Sequence, residues 1–392
     1  MKLDGVKVLD LSQFLPGPHL TMVMADHGAD VIRIESPAGE PTREIGARQA
    51  GQSVYFRNTH RGKRSLVLNL KQPAAVEAFL QLAAQADVIV ESFRPGVVDR
   101  LGVGYEQVRA VNPRIVYCSI SAFGQTGPNT LKPAHDLSVQ AETGLVSLNE
   151  DADGRPAMPN MPSADALSSL MAMNGILMAL LRRTQTGLGD YLDISMQDSL
   201  VGWLPNIVGS VFAEQQAPVP KQERTLGGNA LYNIYRCADD AYLTLGGSEM
   251  KFAENLMHEL GRPDLLDACR TPPGVGQEPV RVFLRDTFAT QPLTHWQARL
   301  DALDVCWAPV RTLDEGLRSE HLHAREMLLT FADPNDATQT ITHLGMPIKF
   351  RHEPGTVQAM APQLGEHSRQ ILAEAGYSTA QIDSMLAAGV AR

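Results

Sequence analysis

Short β-branched runs alternate with helical patterns along the first 120 residues, and this alternation restricts the fold more than any other feature of the chain. Residues 6–11, 30–35, 65–70, 87–91 and 114–120 read as strands, with helical patterns over 19–27 and 73–85 between them. Strands separated by helices cannot pair as hairpins. Each must return by a right-handed crossover, which builds a mostly parallel sheet covered on both faces. Residues 191–196 add a further strand, so the expectation is a doubly wound α/β domain. Ligands bind such sheets beyond the carboxyl ends of the strands, making the loops 12–18, 36–43, 92–96 and 121–135 the expected rim.

The first of these loops argues against a dinucleotide site. It reads Ser12-Gln-Phe-Leu-Pro-Gly-Pro18, with prolines where a glycine-rich turn needs free N–H groups and positive φ. Further along, the pattern changes. Residues 232–236 and 241–245 read as an antiparallel pair joined through Asp239-Asp240, followed by helices over 250–260 and 279–288. These predict a smaller α+β domain, reached through the Pro- and Gln-rich stretch 214–223. Another crossing is expected near 313–328. The expected layout is a first domain over 1–200 and a small one over 225–320. There is no internal repeat or low-complexity tract.

With 392 residues, 44% of them hydrophobic and 20% charged, the chain has the composition of an ordinary soluble protein with several layers of core. A net charge of −10 gives no broad attraction for nucleic acid or an anionic membrane, so neither is expected as a partner. The N-terminal residues lack the unbroken apolar run of a signal peptide, and no later stretch reads as an uninterrupted membrane span; a cytoplasmic protein is expected. Cys118, Cys237, Cys269 and Cys306 are widely spaced, which predicts reduced thiols and no zinc or other metal site.

Asp165 is the residue with the most chemical promise. It opens a long apolar helical pattern over 164–183, thirty residues after His135-Asp136. The open N–H groups and dipole of a helix start favour a carboxylate, which predicts an ionised Asp165 suited to nucleophilic or basic work. The plainer alternative is that Asp165 only caps the helix.

Six blocks of sequence resemble the family III CoA-transferases of CaiB/BaiF type, a group that also holds α-methylacyl-CoA racemases. They are Gly28-Ala-Asp-Val-Ile-Arg-Ile-Glu35, the run 58–71, Asp87-Val-Ile-Val-Glu-Ser-Phe-Arg-Pro-Gly96, Ser119-Ile-Ser-Ala-Phe-Gly-Gln-Thr-Gly-Pro128, the run 186–198, and Leu364-Gly-Glu-His367. The resemblance covers essentially the whole chain. It implies a large Rossmann-like domain made from both chain ends, with a return to it over 330–392, a small domain between them, and a homodimer of interlocked subunits. It also implies a coenzyme A thioester as substrate, with no prosthetic group. The implied CoA contacts are Gln13, Leu15, Pro16, Ser36, Leu68 and Lys71, then Ser92, Phe93, Arg94, Arg100, Leu101 and Lys132. Arg94, Arg100, Lys71 and Lys132 suit phosphate groups, although each is equally readable as a solvated surface charge.

The resemblance places the catalytic carboxylate at Asp165. As a transferase, the chain would move CoA from an acyl-CoA to a small carboxylic acid through an aspartyl mixed anhydride and an aspartyl-CoA thioester. Turns at Gly227-Gly228 or Gly246-Gly247 could supply oxyanion donors, or simply turn the chain. The alternative is a racemase in which His135 and Asp165 exchange the α-proton and Glu249 orients the histidine. Against it, Ala166-Leu-Ser-Ser169 lacks the racemases' glycine cluster, and the segment 119–125 looks like the transferase version. The glycine lid loop of some transferases is also absent. A transferase is therefore expected, with the racemase and a non-catalytic CoA-binding protein as alternatives.

Overall fold

The computed structural model describes residues 1–151, 153–334 and 336–392. Six strands, β1 (Lys7–Asp10), β2 (Asp30–Glu35), β3 (Arg64–Val67), β4 (Val88–Glu91), β5 (Val116–Ser121) and β6 (Asp190–Ser195), form one sheet in the order β3-β2-β1-β4-β5-β6. Every neighbouring pair in it is parallel. This is the doubly wound order, with its topological switch between β1 and β4. The β3 strand stops at Val67, short of the run to residue 70 read from sequence, because Leu68 turns to bridge Ala391 and Asn69 donates to the Val390 carbonyl.

Helix α1 (Pro16–Asp26) starts earlier than its hydrophobic pattern suggests. Pro16 and Pro18 fall in its first turn, where backbone N–H groups have no helical acceptor, so proline costs nothing there and presets φ. Gly17 is required by space: a Cβ at this position would come within 2.2 Å of Ser12. Helices α2 (Val54–His60), α3 (Pro73–Ala83), α4 (Val97–Leu101) and α5 (Tyr105–Val111) follow, then α6 (Asp136–Glu142), α7 (Ser163–Thr186) and α8 (Met196–Val201). The last helices of the chain, Ser368–Glu374 and Thr379–Ala387, add Ile371, Leu372, Ile382 and Met385 to the core formed by Leu9, Ile32, Leu66, Phe79 and Ile89.

Two compact units divide the chain. The first comprises residues 1–143, 160–203 and 320–392, and the second 144–159 and 204–319. Residues 144–159 thus group with the second unit although they fall inside the span 1–200. In the second unit Tyr232–Arg236 pairs antiparallel with Tyr242–Gly246, and Asp240 in the turn adopts a φ of 62°. Trp307–Pro309, which carries no strand signal of its own, adds a third strand to this pair. Helices Met250–Glu259 and Glu278–Phe288 cover it around Tyr235, Leu243, Leu256, Leu284 and Phe288. Near 313–328, where a crossing is expected, the chain passes from the second unit to the first between Ser319 and Glu320, and two short helices there lead into a hairpin, Leu328–Asp333 against Asp336–Leu344.

One expectation about membranes needs correcting. Helix α7 has 24 residues and a mean hydropathy of 1.5 in its most apolar window, enough by length and composition to cross a bilayer. It packs on α1, α6 and α8 and on β5 and β6, with 28% of that window buried. Leu170, Leu177, Met178 and Leu181 remain exposed on it.

Beneath the switch point lies a buried charge cluster. The Asp10 carboxylate accepts from Lys63 Nζ at 2.9 Å, Arg33 Nη1 at 3.2 Å and Thr21 Oγ1 at 2.8 Å, and from the backbone N–H of Ser12 at 2.9 Å. Lys63 also donates to the Pro18 carbonyl at 2.9 Å, and Arg33 to the Ser12 carbonyl. The two cations hold the Asp10 carboxyl well below the usual carboxylate range against the opposing effect of burial, whereas burial brings Lys63 down to about 8. Replacing Asp10 by alanine leaves both cations buried without their shared anion. Urea unfolding should show a loss of about 3–5 kcal/mol, and a loss under about 1 kcal/mol would mean that water replaces the carboxylate.

Candidate active site

A cavity of about 530 Å³ opens beyond the carboxyl ends of the sheet in the first unit, at the position where doubly wound folds bind ligands. Gln13, Phe14 and Pro16 line it from the loop after β1, Ser92, Phe93, Arg94 and Pro95 from the loop after β4, and Ser121 and Ala122 from the end of β5. The segment before α6 contributes Thr130, Lys132, Pro133, Ala134 and His135, with Ser138 inside that helix, and Asp165 and Met196 complete the lining. The first two loops are tied across the switch point, since the Gln13 N–H donates to Ser92 Oγ at 2.8 Å.

Each loop is held by a buried carboxylate. Glu91, at the end of β4, accepts from the Phe93 N–H at 2.8 Å; burial pushes its carboxyl up to about 7 against the opposing hydrogen bonds from Ser119 and Phe93. Phe14 adopts a φ of 64°, a left-handed conformation disfavoured for a bulky side chain. Its N–H is taken by Glu40 Oε1 at 2.9 Å, and its ring meets the His135 ring edge to face at 5.4 Å. The loop 36–43, expected on the rim, therefore supports this cavity through Glu40 without lining it. Its Ala38, Pro41 and Arg43 border a separate pocket of about 380 Å³.

Asp165 lies in the first turn of α7, half-buried, and is not the cap. Asp136, the first residue of α6, fills that role: its Oδ1 accepts from the N–H groups of Ala164 at 2.7 Å and Asp165 at 3.1 Å. Gln140, one turn on, donates to Asp136 Oδ2 at 2.6 Å and to the Met161 carbonyl at 3.0 Å. The Asp165 carboxylate makes no hydrogen bond or ion pair among the described residues, and burial together with the Asp136 charge pushes it up to about 7. The sequence argument that a helix start would keep Asp165 ionised fails because another carboxylate occupies that helix start.

Neighbouring groups follow the same logic. The half-buried Tyr55 phenol is pushed up by burial, then by Asp165 and Glu40. His19, which meets Ser169 Oγ at 3.0 Å one turn beyond Asp165, is pushed down by burial and by Lys63 and Arg61. Lys132 is paired with Glu142 at 2.6 Å, while Arg94 is exposed and makes no ion pair among the described residues.

Of the residues expected from sequence, Gln13, Pro16, Ser92, Phe93, Arg94, Lys132, His135 and Asp165 come together on this cavity. Leu15 flanks it as the residue before α1. Ser36, Lys71 and Arg100 are exposed away from its wall, and Leu101 packs against the core. Leu68 is 1% exposed, so its side chain belongs to the core and not to a binding surface. Glu249 belongs to the second unit, exposed just before the helix Met250–Glu259. Gly228 and Gly247 are explained by tight packing, since a Cβ would strike the Gln222 backbone in one case and Phe252 and Cys306 in the other. Sequence reasoning missed Phe14 and Gln140, and it singled out Asp136 as part of the His135-Asp136 pair without its role as the acceptor at the start of α7. Among the described residues, no group of three or more His, Cys, Asp or Glu side chains is arranged to hold a metal.

A doubly wound sheet with a lone, partly shielded carboxylate at its switch-point cavity defines a class of ligand-binding α/β protein. The chain belongs to CoA-transferase family III, which matches residues 3–368. It is 34% identical over 394 residues to the succinyl-CoA:mesaconate CoA-transferase of Haloarcula hispanica, spanning 96% of this chain and 97% of that one. It is also 31% identical over 391 residues to the α-methylacyl-CoA racemase of Homo sapiens, spanning 97% and 95%. The crystal structure of a CaiB/BaiF family protein from Brucella suis matches it with a TM-score of 0.79 at 28% identity, covering 95% of this chain and 99% of that chain.

The ionisation of Asp165 is directly measurable. The carboxylate infrared band that disappears in Asp165→Ala should titrate in the unsubstituted protein with a midpoint near 7. A midpoint near the ordinary value of about 3.9 would show that the side chain is better solvated than this geometry allows.

Proposed function

We propose that the protein is a CoA-transferase moving CoA from an acyl-CoA to a small carboxylic acid, with Asp165 as the covalent nucleophile. The observation that carries this reading is the unpaired Asp165 carboxylate on the wall of the switch-point cavity. Family membership and the succinyl-CoA:mesaconate CoA-transferase relative support it.

In the reaction, an Asp165 oxygen attacks the thioester carbonyl of the donor, the C–S bond breaks, and CoA leaves as a thiolate from a mixed anhydride. The thiolate then attacks the aspartyl carbonyl, which expels the donor's acid and leaves an aspartyl-CoA thioester. The acceptor carboxylate attacks that carbonyl in turn and releases the thiolate. Attack by the thiolate on the acceptor's acyl carbon then forms the new acyl-CoA and restores Asp165. A carboxylate without hydrogen-bond donors is a stronger nucleophile than a paired one, and covalent relay divides a difficult exchange into easier steps. Arg94 is available to the CoA phosphates and Phe93 to its apolar portions, while Lys132 would reach a phosphate only by leaving Glu142. No prosthetic group enters the scheme. We further propose a homodimer: the exposed stripe Leu170, Leu177, Met178 and Leu181 on α7 is an apolar surface that a second copy would cover.

Asp165→Ala should remain folded, because Asp136 and not Asp165 caps α7, and should lose transfer nearly completely. Incubation of the unsubstituted enzyme with succinyl-CoA and hydroxylamine should leave a hydroxamate on the Asp165 peptide. Turnover by a folded Asp165→Ala protein, or a hydroxamate on another carboxylate, would remove the nucleophile assignment.

His135 lines the same cavity as Asp165, and this one observation favours a second reading, an acyl-CoA racemase. In deuterated water without an acceptor acid, a 2-methylacyl-CoA should keep its α-hydrogen if the protein is a transferase. Acceptor-independent α-deuteration that is abolished in His135→Ala would establish the racemase instead.

A further inference from the structure

We infer that Asp136 is a positioning residue for Asp165, holding the reacting carboxylate free of the helix start and turned over to the cavity. This rests on the reading of Asp165 as the nucleophile. A carboxylate in the first turn of a helix ordinarily folds back onto the open N–H groups beside it, which stabilises it and blunts its nucleophilicity. At the start of α7 the competing acceptor comes from another helix: Asp136 Oδ1 takes the N–H groups of both Ala164 and Asp165. Asp165 is left with no backbone donor to turn to.

Asp136 is itself fixed from the opposite side. Gln140 is 2% exposed and grips Asp136 Oδ2 and the Met161 carbonyl with the same amide nitrogen, so one side chain joins α6 to the segment leading into α7. Further along α7, His19 of α1 meets Ser169, and Ser168 Oγ donates to the Asp165 carbonyl at 3.0 Å. The turn bearing Asp165 is therefore held at its start by α6 and one turn on by α1.

The second effect is electrostatic. The charge of Asp136 stands beside Asp165, and burial and this charge together keep its carboxyl near neutrality. The other titratable groups around Asp165 are Tyr55 of α2, with Glu40 behind it, and His135 on the cavity wall. None of them caps α7, so removing the Asp136 charge while keeping its acceptor isolates the contribution of that charge.

Asp136→Asn does this, because Asn Oδ1 can accept the same two N–H groups. We expect the acid limb of kcat to move down by roughly half to one pH unit, with kcat above that limb within about threefold of the original and KM for acyl-CoA little changed. Asp136→Ala, which opens the helix start to Asp165, should lower kcat at least tenfold with KM for acyl-CoA little changed, and the asparagine variant should stand as its rescue. A cap with only a structural role would alter thermal stability in both variants and leave the acid limb in place. An unshifted limb in Asp136→Asn together with full kcat in Asp136→Ala overturns the inference, as does failure of the isosteric asparagine variant to fold. An active Asp165→Ala protein would sink the nucleophile reading itself, a result the Asp136 variants cannot mimic.

Discussion

The ion cluster around Asp10 sets the geometry on which the cavity depends. Asp10 ends β1, Arg33 lies within β2, Lys63 directly precedes β3, and Thr21 lies in α1, so a single carboxylate ties three neighbouring strands to the first helix. Two charges removed from water are stable together only when each finds a near partner and further hydrogen bonds. Here the Ser12 and Pro18 carbonyls and the Ser12 N–H complete the set. The consequence for function is indirect but strong: the backbone partners that satisfy the ions are the two ends of the loop that presents Gln13, Phe14 and Pro16. A loop anchored at both ends by ions can hold Phe14 at its unfavourable positive φ without collapsing into the cavity.

Carboxylates recur around the cavity in distinct supporting roles. Asp10 anchors, Glu40 holds the strained Phe14 N–H, Glu91 holds the Phe93 N–H, and Asp136 caps α7. Glu40, Glu91 and Asp136 accept from backbone N–H groups, which confine a carboxylate without pairing it with a cation, whereas Asp10 accepts from the Ser12 N–H and from two cations. Asp165 differs in having none of these bonds, and the supporting set helps explain why. Acceptors placed on the nearby backbone N–H groups leave few donors for the one carboxylate that faces the cavity. The contrast between Asp10, held low by two cations, and Asp165, raised by burial and a like charge, is the separation of roles by environment seen where one group supports and another reacts.

Much of the sheet was legible because parallel strands buried on both faces leave continuous apolar runs, as in Val88–Glu91 and Val116–Ser121. Ligands bind beyond strand ends, which marks the loops of Gln13, Ser92 and His135 from sequence alone. Three things were not legible. Trp307–Pro309 has too few residues to show a period, and becomes a strand only because Tyr242–Gly246 offers it an open edge. Phe14 shows no glycine or asparagine to announce its positive φ, which is imposed by Glu40 twenty-six residues away. The cap of α7 lies outside its own segment: local sequence offers Asp165, whereas the acceptor used is Asp136. Sequence periodicity reports what a residue does along its own element, and these three features belong to contacts between elements.

The misreading of Asp165 shows how such a contact alters chemistry. From sequence, a carboxylate at a helix start is an easy anion, stabilised by the dipole and open N–H groups. In the fold, the same dipole is already engaged by Asp136, so Asp165 experiences burial and repulsion in place of stabilisation. For a capping residue that would be a defect, and a leucine or alanine would serve the helix better. For a group that must attack a thioester it has a use. The interactions that lower a carboxylate's pKa also lower its nucleophilicity, and a side chain raised to about 7 retains reactivity while still ionising at neutral pH. The unfavourable placement of Asp165 is therefore the feature of the site that a purely structural role explains least well.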